Sequence, residues 1–187
     1  MPRPKKLPDE AVCDHALALM REAGSEAVTF AALSTRAGLS GAALVQRFGT
    51  RQGLIHAALA HAWDGLDAMT RQAVAEAART PEGAIDLLGR LSTGYGDIET
   101  YADGLRVLRE DLRHPDLRAR GEAWVATLAA AIGECFAGTP SAPPGIGLMM
   151  VAQWQGALLL WGFSPGGGGL DAFIRDHLRR FVAAQTD

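Results

Sequence analysis

Residues 29–51, TFAALSTRAGLSGAALVQRFGTR, constrain the fold more than any other stretch of the chain. Thr29 suits the cap of a helix from about Phe30 to Ala37. Gly38 can take the left-handed conformation that stops it. Leu39 anchors the turn, and Ser40 caps a second short helix from about Gly41 to Arg47. Leu33, Ala37, Leu39, Leu44 and Phe48 are the apolar positions, with Leu44 and Phe48 on one face at i,i+4. The opposite face carries Gly41, Ala42, Gln46 and Arg47. A second helix held from behind, with small and polar residues facing out, is the helix-turn-helix plan, which sets that helix in the DNA major groove. Helical hairpins with a Gly in the turn and no DNA partner are the competing explanation of the pattern alone.

The stretch resembles the DNA-binding domain of the TetR family of transcriptional regulators. Thr29, Leu33-Ser34, Ala37-Gly38-Leu39-Ser40, Leu44-Val45, Phe48 and Arg51 carry the resemblance, which covers about residues 8–60. Beyond that it is architectural only. Two positions depart from the family. Val45 stands where a Tyr usually touches the DNA backbone, and Arg51 replaces a Lys, keeping the charge but changing its geometry. The resemblance implies a homodimer on an inverted-repeat operator of double-stranded DNA, most often as a repressor, with a small-molecule effector bound in the body. It also implies DNA backbone roles for Thr29, Ser40, Thr50 and Arg51, whose positions at helix starts suit phosphate contact.

The residues themselves nominate further contacts. Gln46 can pair with adenine and Arg47 with guanine in the major groove. Gly41, Ala42 and Ala43 allow a close approach, and an Ala methyl can touch thymine. Arg36 adds a candidate backbone contact.

The 187 residues suit one large domain or two small ones, and 48% are apolar, enough to bury a sizeable core. Strand-type alternation is scarce, so the expected fold is all-α with about nine helices. A three-helix helix-turn-helix head (residues 1–50) should precede a helical ligand-binding and dimerisation body (residues 51–187). Net charge is −3, unevenly spread: residues 1–55 hold seven Lys/Arg against five Asp/Glu, and the rest hold eleven against sixteen. A mildly basic head on an acidic body fits a protein that meets DNA at one end.

Cys13 and Cys135 lie in apolar helical patterns and read as reduced thiols of a cytoplasmic protein. The N-terminus, MPRPKKLPDE, has no apolar run and does not read as a signal peptide. Residues 135–170 carry no charge. Gln153, Gln155, several glycines and four prolines argue for a helix buried in a protein assembly over a membrane span.

In chain order, residues 1–7 read as a disordered arm holding Arg3, Lys5 and Lys6. Helix 1 should run from about Pro8 to Ala23, with Val12, Ala16, Leu19, Met20 and Ala23 inward. Helix 4, capped by Thr50, should run from about Arg51 to Ala78 and link head to body. Helices 5 and 6 are expected over about 81–91 and 98–113, with Tyr101, Leu105 and Leu108 on one side of helix 6. Helix 7 should cover about Asp116–Phe136, helix 8 Ile146–Gly162 and helix 9 Leu170–Ala184. The loop SPGGGG at 164–169 lacks the strand and the Lys-Ser/Thr that a P-loop needs.

Helix 8 is apolar nearly all round, and helix 9 has an aromatic-aliphatic face, so the two form the expected dimer surface. Ala152 and Gly156 form a small pair for close approach, alongside Leu160, Leu170, Phe173, Ile174, Leu178 and Phe181. Material for a ligand pocket is Trp63, Tyr101, Trp124, Leu128, Met150 and Trp154, which suggest a mostly apolar or aromatic ligand. Glu110 and His114, at i,i+4, could form half of a metal site. No second half, nucleophile constellation or cofactor fingerprint accompanies them, so no metal, cofactor or catalytic residue is expected. A dimeric scaffold that no longer reads DNA is the alternative that Val45 and the sparse basic charge suggest.

Overall fold

The computed structural model describes residues 7–163 and 169–186. The arm with Arg3, Lys5 and Lys6, and all but Gly169 of the 164–169 loop, lie outside them. Nine α-helices and no strand occur among the described residues: α1 (Asp9–Ala23), α2 (Phe30–Ala37), α3 (Gly41–Phe48), α4 (Arg51–Glu76), α5 (Pro81–Ser92), α6 (Ile98–Arg113), α7 (Pro115–Cys135), α8 (Ile146–Phe163) and α9 (Gly169–Thr186). The all-α expectation and the helix order hold.

Side-chain caps set several boundaries. Thr29 accepts from the Ala32 N–H at 3.1 Å, Ser40 from Ala43 at 3.2 Å, and Thr80 from Gly83 at 3.1 Å. Pro81 in the first turn of α5 loses no helical bond there. Gly38 ends α2 at φ 66°, ψ 26°, a conformation that costs a residue with a Cβ.

The chain divides into two compact units, residues 1–66 with 103–118, and residues 67–102 with 119–187. In the first, Val12, Ala16 and Met20 of α1 share a core with Leu33 of α2, Leu44 of α3, and Leu54, Ile55, Ala58 and Leu59 of α4. Cys13 and Leu17 are buried there too, whereas Ala23, expected inward, is exposed. Burial pushes the Cys13 thiol up to about 11, with Asp9, Asp14 and Glu10 adding to the shift.

The second unit is built on α5, α8 and α9, joined by α7. Ile85, Leu88, Leu128, Ile132, Met150, Trp154, Leu158, Ile174 and Leu178 fill its core. Trp154 is buried, and its indole N–H donates to Ser92 Oγ at 2.8 Å while that hydroxyl donates to the Leu88 carbonyl. Gly147 is the point of close approach: a Cβ there would lie 1.9 Å from the Ala129 carbonyl oxygen of α7. Ala152 and Gly156, the small pair expected at the dimer surface, are exposed.

On α6, Tyr101 is buried, whereas Leu105 and Leu108 are exposed. Long and apolar enough to cross a membrane by composition alone, α8 nevertheless buries Met150, Val151, Trp154, Ala157 and Leu158 in this core.

Leu44 is fully buried, so Leu44→Ala is expected to cost about 2–5 kcal/mol of stability by lost contact and residual cavity. Thermal unfolding followed by circular dichroism measures this. An unchanged transition would show that α3 is not anchored through Leu44.

Candidate nucleic-acid interface and candidate ligand site

At eight residues, α3 is too short to hold together alone, so its environment fixes it. Ser40 satisfies its first turn, and Leu44 pins it from behind. Directly after it, Gly53 lets the first turn of α4 close on the end of α3. A Cβ on Gly53 would stand 2.3 Å from the Phe48 carbonyl oxygen. The exposed side of α3 is Ala42, Val45 and Gln46, with Gly41 and Ala43 half-buried beside them. Val45 is 47% exposed, an apolar residue on an otherwise small and polar face.

The arginines are placed differently from the sequence expectation. Arg47 does not share the outward face with Gln46. Its guanidinium donates to the Leu7 carbonyl at 2.5 Å and pairs with Asp9 at 3.2 Å. One of its nitrogens, Nη1, is buried without a hydrogen-bond partner among the described residues. Leu7, just before α1, supplies a carbonyl and Asp9, its first residue, a carboxylate, and these draw the side chain inward.

Arg51 likewise turns back. It donates to the carbonyls of Val28 and Ser25 and pairs with Glu26 at 3.3 Å. Arg36 makes a bidentate pair with Glu22, at 2.7 and 2.6 Å. The hydrogen bond from Arg36 holds the Glu22 carboxyl below the usual carboxylate range, and Glu22 in turn raises the Arg36 guanidinium. All three arginines nominated for DNA contact are therefore ion-paired within the unit. Thr29, Ser40 and Thr50 are helix caps, Thr50 accepting from the Gly53 N–H at 3.0 Å.

The pocket candidates divide between the units. Trp63 belongs to the first, where its indole N–H donates to Asp111 Oδ1 at 3.2 Å. Tyr101, Trp124, Leu128, Met150 and Trp154 belong to the second. Leu128, Met150 and Trp154 are core residues. Tyr101 stacks edge-on against Trp161, with ring centroids 6.4 Å apart. Trp124 lines a groove of about 310 Å³ between α4 and α7.

The dimer candidates split as well. Leu170, Ile174 and Leu178 are buried in the core of their own unit, because α9 packs on α5 and α8, and so they are closed to a partner. Ala152, Gly156 and Leu160 are exposed, and Phe173 and Phe181 half-buried. Leu148, Leu159 and Phe163 extend the exposed apolar face of α8, with Phe163 79% exposed; a helix apolar nearly all round gives no periodicity that could single them out.

Asp111 is the residue that the sequence undervalued. Burial pushes its carboxyl up to about 6, partly opposed by the hydrogen bond from Trp63 and by His114. His56 bonds to Asp116, and its ring lies 6.1 Å from that of His114. No group of three metal-ligating side chains occurs among the described residues.

A capped, core-anchored α3 set behind a glycine turn makes this an all-α helix-turn-helix protein. Residues 12–58 match the model of the bacterial regulatory proteins of the tetR family. The chain therefore carries a helix-turn-helix domain of the tetR type at its N-terminus, on a TetR-like all-α fold. Solved structures with the same fold include a TetR-family regulator from Rhodococcus sp., 21% identical with a TM-score of 0.64, covering 96% of this chain and 98% of that one. A transcriptional regulator from Rhodococcus sp. RHA1 has a TM-score of 0.74 at 16% identity, over 96% of each chain. A regulator from Saccharomonospora viridis, in complex with choline, has a TM-score of 0.72 at 16% identity, over 94% of this chain and 95% of that one. No curated relative matches the sequence.

The raised Asp111 carboxyl gives a pH test. Between its unfolded value near 3.8 and its folded value of about 6, the folded chain binds the extra proton, so this group favours folding as pH falls through that window. Asp111→Asn should therefore raise the melting temperature at pH 7.5 and lose most of that gain at pH 4.5. An equal effect at both pH values would show that burial does not disfavour the charged form.

Proposed function

We propose that the protein is a sequence-specific repressor that binds an inverted-repeat operator on double-stranded DNA as a homodimer and is released by a small, mostly apolar ligand. The observation that carries this reading is the geometry of α3, with Leu44 buried behind it and Ala42, Val45 and Gln46 exposed in front. Gln46 reads a base edge, Ala42 and Val45 touch thymine methyls, and Gly41 and Ala43 let the helix lie close. Thr29, Ser40 and Thr50 place hydroxyls and helix N-termini against phosphates.

Arg36, Arg47 and Arg51 reach DNA by exchanging an internal carboxylate or carbonyl for a phosphate or base acceptor. Arg47, with one donor already unspent, braces α3 against α1 first and contacts DNA second. The reading half is residues 1–50, and residues 51–187 bind the ligand and dimerise, in a cytoplasmic protein with no catalytic role, cofactor or membrane partner. Ligand binding in the body shifts α4 and moves the two heads out of register with the operator. That the Saccharomonospora viridis relative holds choline supports small-molecule binding by a body of this fold.

The experiment is selection from a randomised duplex library at moderate salt. Enrichment of an inverted repeat with half-sites roughly 34 Å apart, one helical turn, is expected. Gln46→Ala should relax one base position by about 1–3 kcal/mol. A folded protein that enriches no duplex at any salt concentration would favour a ligand-binding scaffold in its place.

Two further outcomes follow from the ion pairs and the exposed α8 face. Freed from its carboxylate by Glu22→Gln, Arg36 should tighten binding to any duplex and steepen the salt dependence by about one phosphate contact. Affinity titrations at several salt concentrations measure this, and an unchanged slope would remove Arg36 from the interface. Leu160→Glu places a charge on the α8 face and should convert the dimer to a monomer. Sedimentation at micromolar concentration reads the mass, and an intact dimer would move the interface elsewhere.

A further inference from the structure

In the second unit, side chains join α4 to α7, Arg120 pairing with Asp67 and Trp124 donating to Thr70. Between them lies the groove of about 310 Å³, lined by Asp67, Thr70, Arg71, Arg120, Ala123, Trp124 and Thr127. That volume sits at the lower end of small-ligand sites, which run from about 300 Å³ upward.

The side chains are not equivalent. Asp67 and Arg120 pair at 2.6 Å, so these two charges are committed to each other. Thr127 donates to the Ala123 carbonyl at 2.9 Å. Thr70, only 4% exposed, accepts from the Trp124 indole N–H at 2.9 Å. Its own hydroxyl proton has no acceptor among the described residues, and a buried donor left unpaired is costly. Arg71 has no ion pair among the described residues and lines the same groove. The groove therefore presents one uncommitted cation and one buried donor beside a tryptophan and an alanine methyl.

We propose that this groove binds an organic monocarboxylate with a flat apolar body. The carboxylate takes its charge partner from Arg71 and the proton of Thr70, and the body lies along Trp124 and Ala123. A guanidinium matches a carboxylate in geometry as well as charge. A neutral amide of the same shape leaves Arg71 without its counter-charge, and a cation meets it with repulsion. The inference rests on the effector-binding reading above and gives that effector a chemical class.

The probes are 1-naphthoate and its neutral isostere 1-naphthamide, titrated calorimetrically into the full chain. The expected result is at least tenfold preference for the acid. Arg71→Ala should abolish the preference, binding acid and amide alike, and Arg71→Lys should restore part of it. Thr70→Val should weaken the acid severalfold, with folding checked by circular dichroism. Equal affinity for acid and amide in the unaltered protein, an undiminished preference in Arg71→Ala, or no binding of either probe would each overturn the inference. The duplex selection is run on the same preparation. Failure of the groove leaves an enriched operator intact, whereas failure of the regulator reading leaves a protein that binds the acid and enriches no DNA.

Discussion

Everything proposed for the head depends on the anchoring of one short helix. Eight residues do not sustain an α-helix in water, because nucleation costs more than two turns return. In this chain Leu44 enters a core already formed by Val12, Ala16 and Met20 on one side and Leu54 and Ala58 on another. Ser40 closes the first turn, and Gly53 lets the next helix start against the last. The opposite face of α3 is consequently rigid and carries small side chains. A rigid helix face with its backbone near the surface is what a groove in DNA can accept.

The internal ion pairs qualify how such a face meets DNA. Arg36, Arg47 and Arg51 are held by Glu22, Asp9 and Glu26, and two of them also by backbone carbonyls. Phosphate contact then means exchange of one anion for another. Exchange of this kind lowers the net electrostatic gain, since carboxylates released near the duplex repel it. Shape and base contact must carry a larger share of affinity than in a head with free cations. The Val in place of a Tyr at position 45 points the same way, replacing a hydroxyl contact by an apolar one.

Local signals made most of the fold legible. Thr29, Ser40 and Thr50 are caps that can be read from their side chains, and the bounds expected for α2 and α6 match those observed. What eluded the sequence depended on residues far away along the chain. Arg47, expected outward, stands only about 60° round the helix from the buried Leu44, and an acceptor 40 residues earlier draws it in. On α9, Leu170, Ile174 and Leu178 share a stripe with Phe173 and Phe181. Periodicity cannot say whether such a stripe meets its own core or a second copy, and the packing of α5 decides it for the first three. The burial of Asp111 depends on contacts made far along the chain, among them the hydrogen bond from Trp63, 48 residues earlier. The α4–α7 groove was legible only as a tryptophan among pocket candidates, because Thr70, 54 residues before that tryptophan, and Arg71 beside it come from another helix.

The central claim, that α3 enters the major groove, is tested most directly by dimethyl sulfate interference on a duplex that the protein retains. Methylation of guanine N7 blocks the major groove, and methylation of adenine N3 blocks the minor. The account predicts that binding is lost on N7 methylation at two clusters about one helical turn apart on one face of the duplex. Interference confined to adenine N3, or binding indifferent to both, would contradict it.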